Sequence, residues 1–520
     1  MPAPLCVAIV CALAALGGCD SKSSPGPRRG PAAQINTQGG LFDLVAENLE
    51  RLEQFETLEI RKQICDRLNQ WNLQEKPKVN WQADPLLAGL RPELRGLLAV
   101  KSLDNTLFQP PDAEYLHEAV WLRDISRAAR GDQFNDLGVA ERLFDWTVRN
   151  IQLEADVAAP TKGSPRHRVF QTLLLGRGSA TDRAWVFMLL ARQQGLDIVL
   201  LAGTDESGKS QRPSLCALAS GGELYLFDCG LGLPIPGPQG HGVATLSQVA
   251  ADEQLLRRLD LDSEHPYPLK AADLARVVAC IEASPEDLSR RMALVEGRLS
   301  GKHKLTLTSP GSTLAERLKK IPHITDATLW SWPFEVTLWQ SKLDDEGRKA
   351  LGREMLVFEA MPDLFKARAL YFKGDYDGDN GAKRYLLPVR LSDEEINNYK
   401  VPARDAQRLN KEHISKIEAF NIVVMREAKQ NASYWLGLVM FQQEDYLPAI
   451  DFFAKRTLEA SPQGPWSEGA RYNLGRCYEA TGETQRAIEA YESDTQSPQS
   501  HGNRLRARWL KEQRETAAAK

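Results

Sequence analysis

The C-terminal part of the chain repeats a spacing. Leu436-Gly437, Ala449 and Phe453 recur as Leu474-Gly475, Ala487 and Tyr491, with an offset of 38 in every register. A repeat of this size constrains the fold strongly, because each copy must be one supersecondary unit stacked on the next. Small residues at two fixed positions let paired helices approach closely, and the aromatic side chain fills the groove between them. Residues 431–520 are therefore read as two helix pairs, followed by a capping helix over 502–515. A generic helical hairpin is the plainer alternative.

This pattern resembles the tetratricopeptide repeat. Tyr478 stands at its usual aromatic position in the second copy, and Met440 in the first. The period exceeds the usual length of about 34 because the loop around Ser461-Pro-Gln-Gly-Pro465 is long. The resemblance implies a concave groove suited to an extended peptide or a partner helix.

The chain has 520 residues, enough for about three domains. Its 65 basic and 69 acidic side chains leave a net charge of −4. That balance argues against a strong nucleic-acid binder, and no nucleic-acid partner is expected. Residues 5–18 are uncharged and almost all apolar or small. They are too few to span a bilayer, which takes about 20, and their length suits the apolar stretch of a secretory signal. Leu16-Gly17-Gly18-Cys19 resembles the lipobox of bacterial lipoproteins, in which the cysteine thiol is acylated and the preceding peptide removed. Residues 1–18 contain no Lys or Arg, a departure from that pattern. A short buried apolar segment is the alternative. The resemblance implies a signal peptide over 1–18, lipid on Cys19, and a location in the cell envelope facing the periplasm or the exterior. Residues 19–40 are rich in Ser, Gly and Pro and read as a flexible tether.

Residues 41–135 carry helical periodicity and read as a helical N-terminal region. From 136 the pattern changes. Asn135 or Asp136 caps a helix ending near Ile151. Residues 181–194 are apolar on most sides and should form a buried helix, stopped by Gly195. Ile198–Ala202 reads as a strand, and Leu215–Ala219 with Leu224–Phe227 as a hairpin around Gly221-Gly222. The result is an α+β unit over 136–240. Residues 241–430 read as mostly helical, with no assignment for the Trp-rich stretch 328–340. The fold class expected is a multidomain, mainly α chain with one α+β domain and a C-terminal helical repeat array.

The α+β unit resembles the transglutaminase-like superfamily, the papain-related fold. The resemblance rests on Trp146-Thr-Val-Arg-Asn150-Ile151, on Gly178-Ser-Ala-Thr-Asp-Arg-Ala184 with Leu189-Leu190, Gly195-Leu196 and Val199, and on Tyr225-Leu-Phe-Asp228. It implies a cysteine at the start of the buried helix, where the helix dipole favours a thiolate, then a histidine base oriented by an aspartate. Here the cysteine position falls on Ala180, the histidine position on 213–216, and the aspartate position on Asp228. A methyl group cannot attack a carbonyl, and no histidine lies between His167 and His241. The resemblance therefore implies a retained fold without its acyl-transfer machinery. Cys216 as a relocated nucleophile, or His167 swinging in from a loop, would be needed for activity. Cys216 and Cys229 are also the nearest cysteine pair in the remaining chain, and a disulfide between them is one option.

Asp375-Tyr-Asp377-Gly-Asp379-Asn380-Gly381 begins like a calcium-binding loop. Its sixth position is Asn380 rather than Gly, and its twelfth is Leu386 rather than Glu, so a solvated turn is expected. No metal or cofactor is expected. The functional expectation is a membrane-anchored extracytoplasmic scaffold. It would bind a protein or peptide through the repeats and the membrane through its lipid. A cysteine-dependent peptidase or acyltransferase with a relocated active site is the alternative.

Overall fold

The computed structural model describes residues 40–54, 57–155, 166–203, 214–407 and 409–518. The apolar leader, Cys19 and the tether up to residue 39 lie outside the described residues. In the N-terminal region, α1 (Leu41–Leu49), α2 (Thr57–Glu75) and α3 (Pro110–Arg130) pack together through Val45, Leu49, Ile60, Ile64, Leu68 and Leu116. Pro110 opens α3 at a position that needs no backbone donor.

Asn135 caps α4 (Asp136–Asn150) by accepting the Gly138 N–H at 2.8 Å. The short β1 (Gln152–Leu153) pairs in parallel with β2 (Arg177–Gly178) across α5 (Val169–Leu175). Next comes α6 (Ala180–Gln193), buried on every side from Asp182 to Ala191, as its apolar run requires. It ends before Gly195, whose φ of +75° suits glycine.

The central sheet has six strands: β3 (Asp197–Gly203), β4 (Leu215–Ser220), β5 (Glu223–Asp228), β6 (Leu233–Pro234), β7 (Val277–Ile281) and β8 (Ile324–Leu329). Their order is β6-β5-β4-β3-β7-β8, antiparallel throughout except for the parallel pair β7/β8. Both faces are covered. Leu200, Ala202, Cys216, Leu218 and Phe227 join the core of α4 and α6, while Val199, Leu201, Leu215, Ala217 and Leu226 meet residues from 244–318. This is the period-two alternation of a strand buried on two sides. Two strands come from the 241–430 segment that periodicity reads as mostly helical, so the sheet extends well beyond residue 240.

The Trp-rich stretch contributes the end of β8 and then α7 (Trp332–Ser341), with Pro333 in its first turn. Helices α8 (Asp345–Ala360), α9 (Pro362–Lys373) and α10 (Ala382–Val389) follow. The 32-residue α11 (Lys411–Gln442) then pairs with α12 (Tyr446–Phe453). A wider π-type turn over Ala454–Glu459 leads to α13 (Ser467–Ala480), which pairs with α14 (Thr484–Glu492), and α15 (Ser500–Ala518) closes the array. The chain is thus mainly α with a small mixed sheet. Among the described residues no helix is long and apolar enough to cross a membrane.

The repeated residues meet as their spacing requires. A Cβ on Gly437 would lie 2.6 Å from the Phe453 ring, and one on Gly475 would lie 2.5 Å from the Tyr491 ring. Leu436, Ala449, Phe453, Ala487 and Tyr491 are fully buried. Leu474 and Tyr478 are nearly so.

Candidate functional site

The start of α6 is the place to look for catalytic groups. Ser179 caps this helix, and its backbone N–H and hydroxyl both donate to Asp182 Oδ2, at 2.9 and 2.8 Å. Ala180 is the first helical residue. Across from it runs the turn after β5, close enough that a side chain on Gly230 would touch both the Ala180 methyl and Asp228 Oδ1. The structure therefore brings positions 180 and 228 together.

Their chemistry is that of a braced turn. Asp228 Oδ1 accepts the N–H groups of Gly230 and Leu231 at 2.8 and 2.9 Å, and its Oδ2 accepts the Tyr267 hydroxyl at 2.7 Å. Burial raises the Asp228 carboxyl above its ordinary range, against the pull of these donors. Both carboxylate oxygens are thus committed to holding the turn.

Cys216 on β4 and Cys229 after β5 are free thiols with their sulfurs 3.7 Å apart. Cys216 is 1% exposed, and burial, then the neighbouring Cys229, push its thiol well above the ordinary value. A thiol in that state is a poor nucleophile. His167 faces a different partner, Glu354 on α8, at 2.6 Å. Burial works against its protonation, but Glu354 and the nearby Asp182 and Glu154 outweigh that and raise it. Arranged this way, positions 180, 216 and 228 form no nucleophile–base pair.

The fourth residue of α6 has a role that the motif did not reveal. Arg183, 1% exposed, donates to the carbonyls of Ile151 (2.8 Å), Val148 (3.3 Å) and Cys229 (3.3 Å), and to Gln499 Oε1 at 2.7 Å. One buried guanidinium so ties α4, the β5 turn and the loop before α15 together. Burial lowers it to about 10. The available signal was an arginine standing directly before the apolar run 184–191.

The face of the repeats that looks inward is also occupied. Asp145 of α4 pairs with Arg149 at 2.8 Å and with Arg476 of α13. Burial acts to raise Asp145, but Arg476 and Arg149 together outweigh it and hold it well below the carboxylate range. Asn473 Nδ2 donates to the Arg149 carbonyl at 3.1 Å and to the Tyr434 hydroxyl at 3.0 Å. Gln152 clasps the start of α13, donating to the Pro465 carbonyl before it at 2.7 Å and accepting the Gly469 N–H in its first turn at 2.8 Å. These contacts set the chain's own α4 and β1 against α13 and the loop before it.

The Asp375–Gly381 turn lies between α9 and α10. Asp377 pairs with Lys383 at 2.8 Å and Asp379 with Arg384 at 3.3 Å. Among the described residues no cluster of three or more His, Cys, Asp or Glu side chains is placed to hold a metal. Comparison with protein-family models, curated proteins and solved structures finds no match for the chain.

Proposed function

We propose that the protein is a non-catalytic scaffold, anchored to a bacterial envelope membrane through lipid on Cys19. A transglutaminase-like core without its acyl-transfer groups and a tetratricopeptide-like array are joined in it as one body. The observation that carries the reading is the committed state of Asp228 beside Ala180. Its oxygens are used by Gly230, Leu231 and Tyr267, and the nucleophile position beside it carries only a methyl group. The seam formed by Asp145, Arg476, Gln152 and Arg183 supports a partner surface on the outward side of the repeats. Their inward side serves this chain.

The test is alkylation of the full chain with iodoacetamide at neutral pH, mapped residue by residue. Cys216 and Cys229 are expected to stay unmodified until the protein is denatured. Rapid alkylation of Cys216, with an amidase or acyltransferase activity that Cys216→Ser abolishes, would refute the non-catalytic reading. The anchor is tested separately. Cys19→Ser should move the protein from the membrane fraction to the soluble fraction of cells that process lipoproteins, and unchanged membrane association would remove lipidation from the proposal.

A further inference from the structure

A cavity of about 150 Å³ opens between α11, the π-type turn and the start of α13. Its walls are Arg426, Lys429 and Ser433 on α11, Arg456 and Thr457 in the π-type turn, and Trp466 at the start of α13. The turn is wide because the Ala460 N–H reaches back five residues to the Lys455 carbonyl, at 3.2 Å. Turns of this kind displace side chains from the α-helical register and recur at functional sites. Trp466 is a fixed wall. It stacks on Tyr434 at 4.5 Å, and its indole N–H donates to Asn431 Oδ1 at 2.7 Å.

The charge around this cavity is unbalanced. The lining holds three cations, Arg426, Lys429 and Arg456, against one carboxylate, Asp393. Arg390 stands behind Ser433. Among the described residues neither Arg390 nor Arg426 has a carboxylate partner; Arg426 donates to the Asn397 amide oxygen at 2.6 Å. Asp393 pairs with Lys429 at 2.8 Å but is 81% exposed, so that pair is weak and exchangeable. Asp451 is divided between Lys455 at 3.0 Å and Arg456 at 3.2 Å. Nearby Glu395 is used in the cap at Ser392, at 2.7 Å. Burial, and next the like charge of Arg456, lower the Arg390 guanidinium. Cations that outnumber the carboxylates beside them are a cost that a bound anion relieves.

The neutral donors point to the same class of ligand. Ser433 Oγ accepts from Arg390 Nε at 3.0 Å, which leaves its own proton free to donate. Gln430, whose amide donates to Ser461 Oγ at 3.3 Å, and the Ser461 hydroxyl, which keeps its own proton, complete the wall. That supply exceeds what the two oxygens of a carboxylate can accept and suits a three-oxygen dianion. We propose that this cavity binds a phosphomonoester, with its phosphate on Arg426, Lys429, Arg456 and Ser433 and its organic part toward Pro465 and Trp466. The proposal goes beyond the scaffold reading and does not depend on the state of Cys216.

Calorimetric titration of the full chain with phenyl phosphate at low ionic strength tests it. Saturable binding is expected, weakening with added salt. The half-exposed Arg456 can be changed without disturbing the fold, and Arg456→Gln should weaken binding about tenfold with an unchanged melting temperature. The Arg426→Gln/Arg456→Gln double variant should lose it. A second arm uses phosphatidylcholine vesicles carrying phosphatidic acid. Vesicle binding that phenyl phosphate displaces identifies a lipid headgroup as the source, and phenyl phosphate binding without vesicle binding identifies a free phosphomonoester. Absence of binding to both probes at millimolar concentration, or equal binding by a folded double variant, overturns the proposal.

Discussion

The two copies of the repeat share a backbone solution and differ in what fills it. In each, a glycine on the first helix faces an aromatic ring on the second, Gly437 with Phe453 and Gly475 with Tyr491. Around that contact the chemistry diverges. Leu438, Phe441 and Trp435 of the first copy correspond, at the offset of 38, to Arg476, Glu479 and Asn473 of the second. The first copy stacks Trp435 on Phe358 at 5.9 Å, with Arg368 over the same ring at 4.8 Å. The second copy instead meets Asp145 of α4 and Arg506 of α15, and answers each with an opposite charge. The close approach is thus a property of the repeat, and the interior charge a property of the neighbour it packs against.

Placing a methyl group at either glycine tests the shared half of this comparison and should have the largest effect. Both aromatic rings are fully buried and have no room to retreat. Gly437→Ala and Gly475→Ala should each destabilise by about 3 kcal/mol, the upper end for overpacking a filled core. Chemical denaturation of each variant reads this. Equal losses would support one geometry in two copies, and a loss at one site alone would break the equivalence.

Converting the second copy toward the first tests the other half. Arg476→Leu places the first copy's residue at position 476 and leaves Asp145 with Arg149 alone. The loss should be about 2 kcal/mol at neutral pH, below the figure for a fully buried pair because Asp145 is 26% exposed. The pH dependence carries a further sign. Asp145 is held below its unfolded value, so its contribution is present above the ordinary carboxylate range and disappears as pH falls through the depressed value. The gap between wild type and Arg476→Leu should therefore narrow on acidification. A constant gap would mean that Arg476 acts through packing rather than charge.

The same contrast separates what was legible in the sequence from what was not. The glycine–aromatic spacing, the cap at Asn135, the apolar run of α6 and the Gly221-Gly222 turn, with φ of +63° and +82°, are local signals, and each appears where it was read. Strand β7 was not legible. Val277–Ile281 is a short apolar run, which periodicity cannot distinguish from a buried helix, and its parallel partner β8 lies more than forty residues on. Pro333 made the Trp-rich stretch unassignable because its position in a first helical turn depends on where the helix starts. Of the candidate site, Ala180 and Asp228 were singled out in the sequence, while Arg183 and Gln499 were not. The cationic cavity was invisible for a similar reason. Its residues run from 393 to 466, and packing rather than spacing assembles them.

The smallest test is an exchange of the two aromatic residues, and its asymmetry is informative. Tyr491 donates its hydroxyl to Glu479, which Arg506 also binds, at 2.9 Å through Nη2. Burial acts to raise Glu479, but Arg506 and Arg476 outweigh it and keep the carboxyl low. The acceptor is thus charged and remains paired when the phenol is removed. Tyr491→Phe should cost about 1 kcal/mol, the net worth of one hydrogen bond. The reverse change has no such acceptor, because Phe441 stands where Glu479 stands in the second copy. Phe453→Tyr would bury an unsatisfied hydroxyl at a cost of about 2 kcal/mol. Denaturation midpoints that rank Phe453→Tyr below Tyr491→Phe would show that the copies diverged by matching their polar partners rather than by drifting. Equal costs would place both rings in equivalent apolar surroundings and remove the distinction drawn between the two copies.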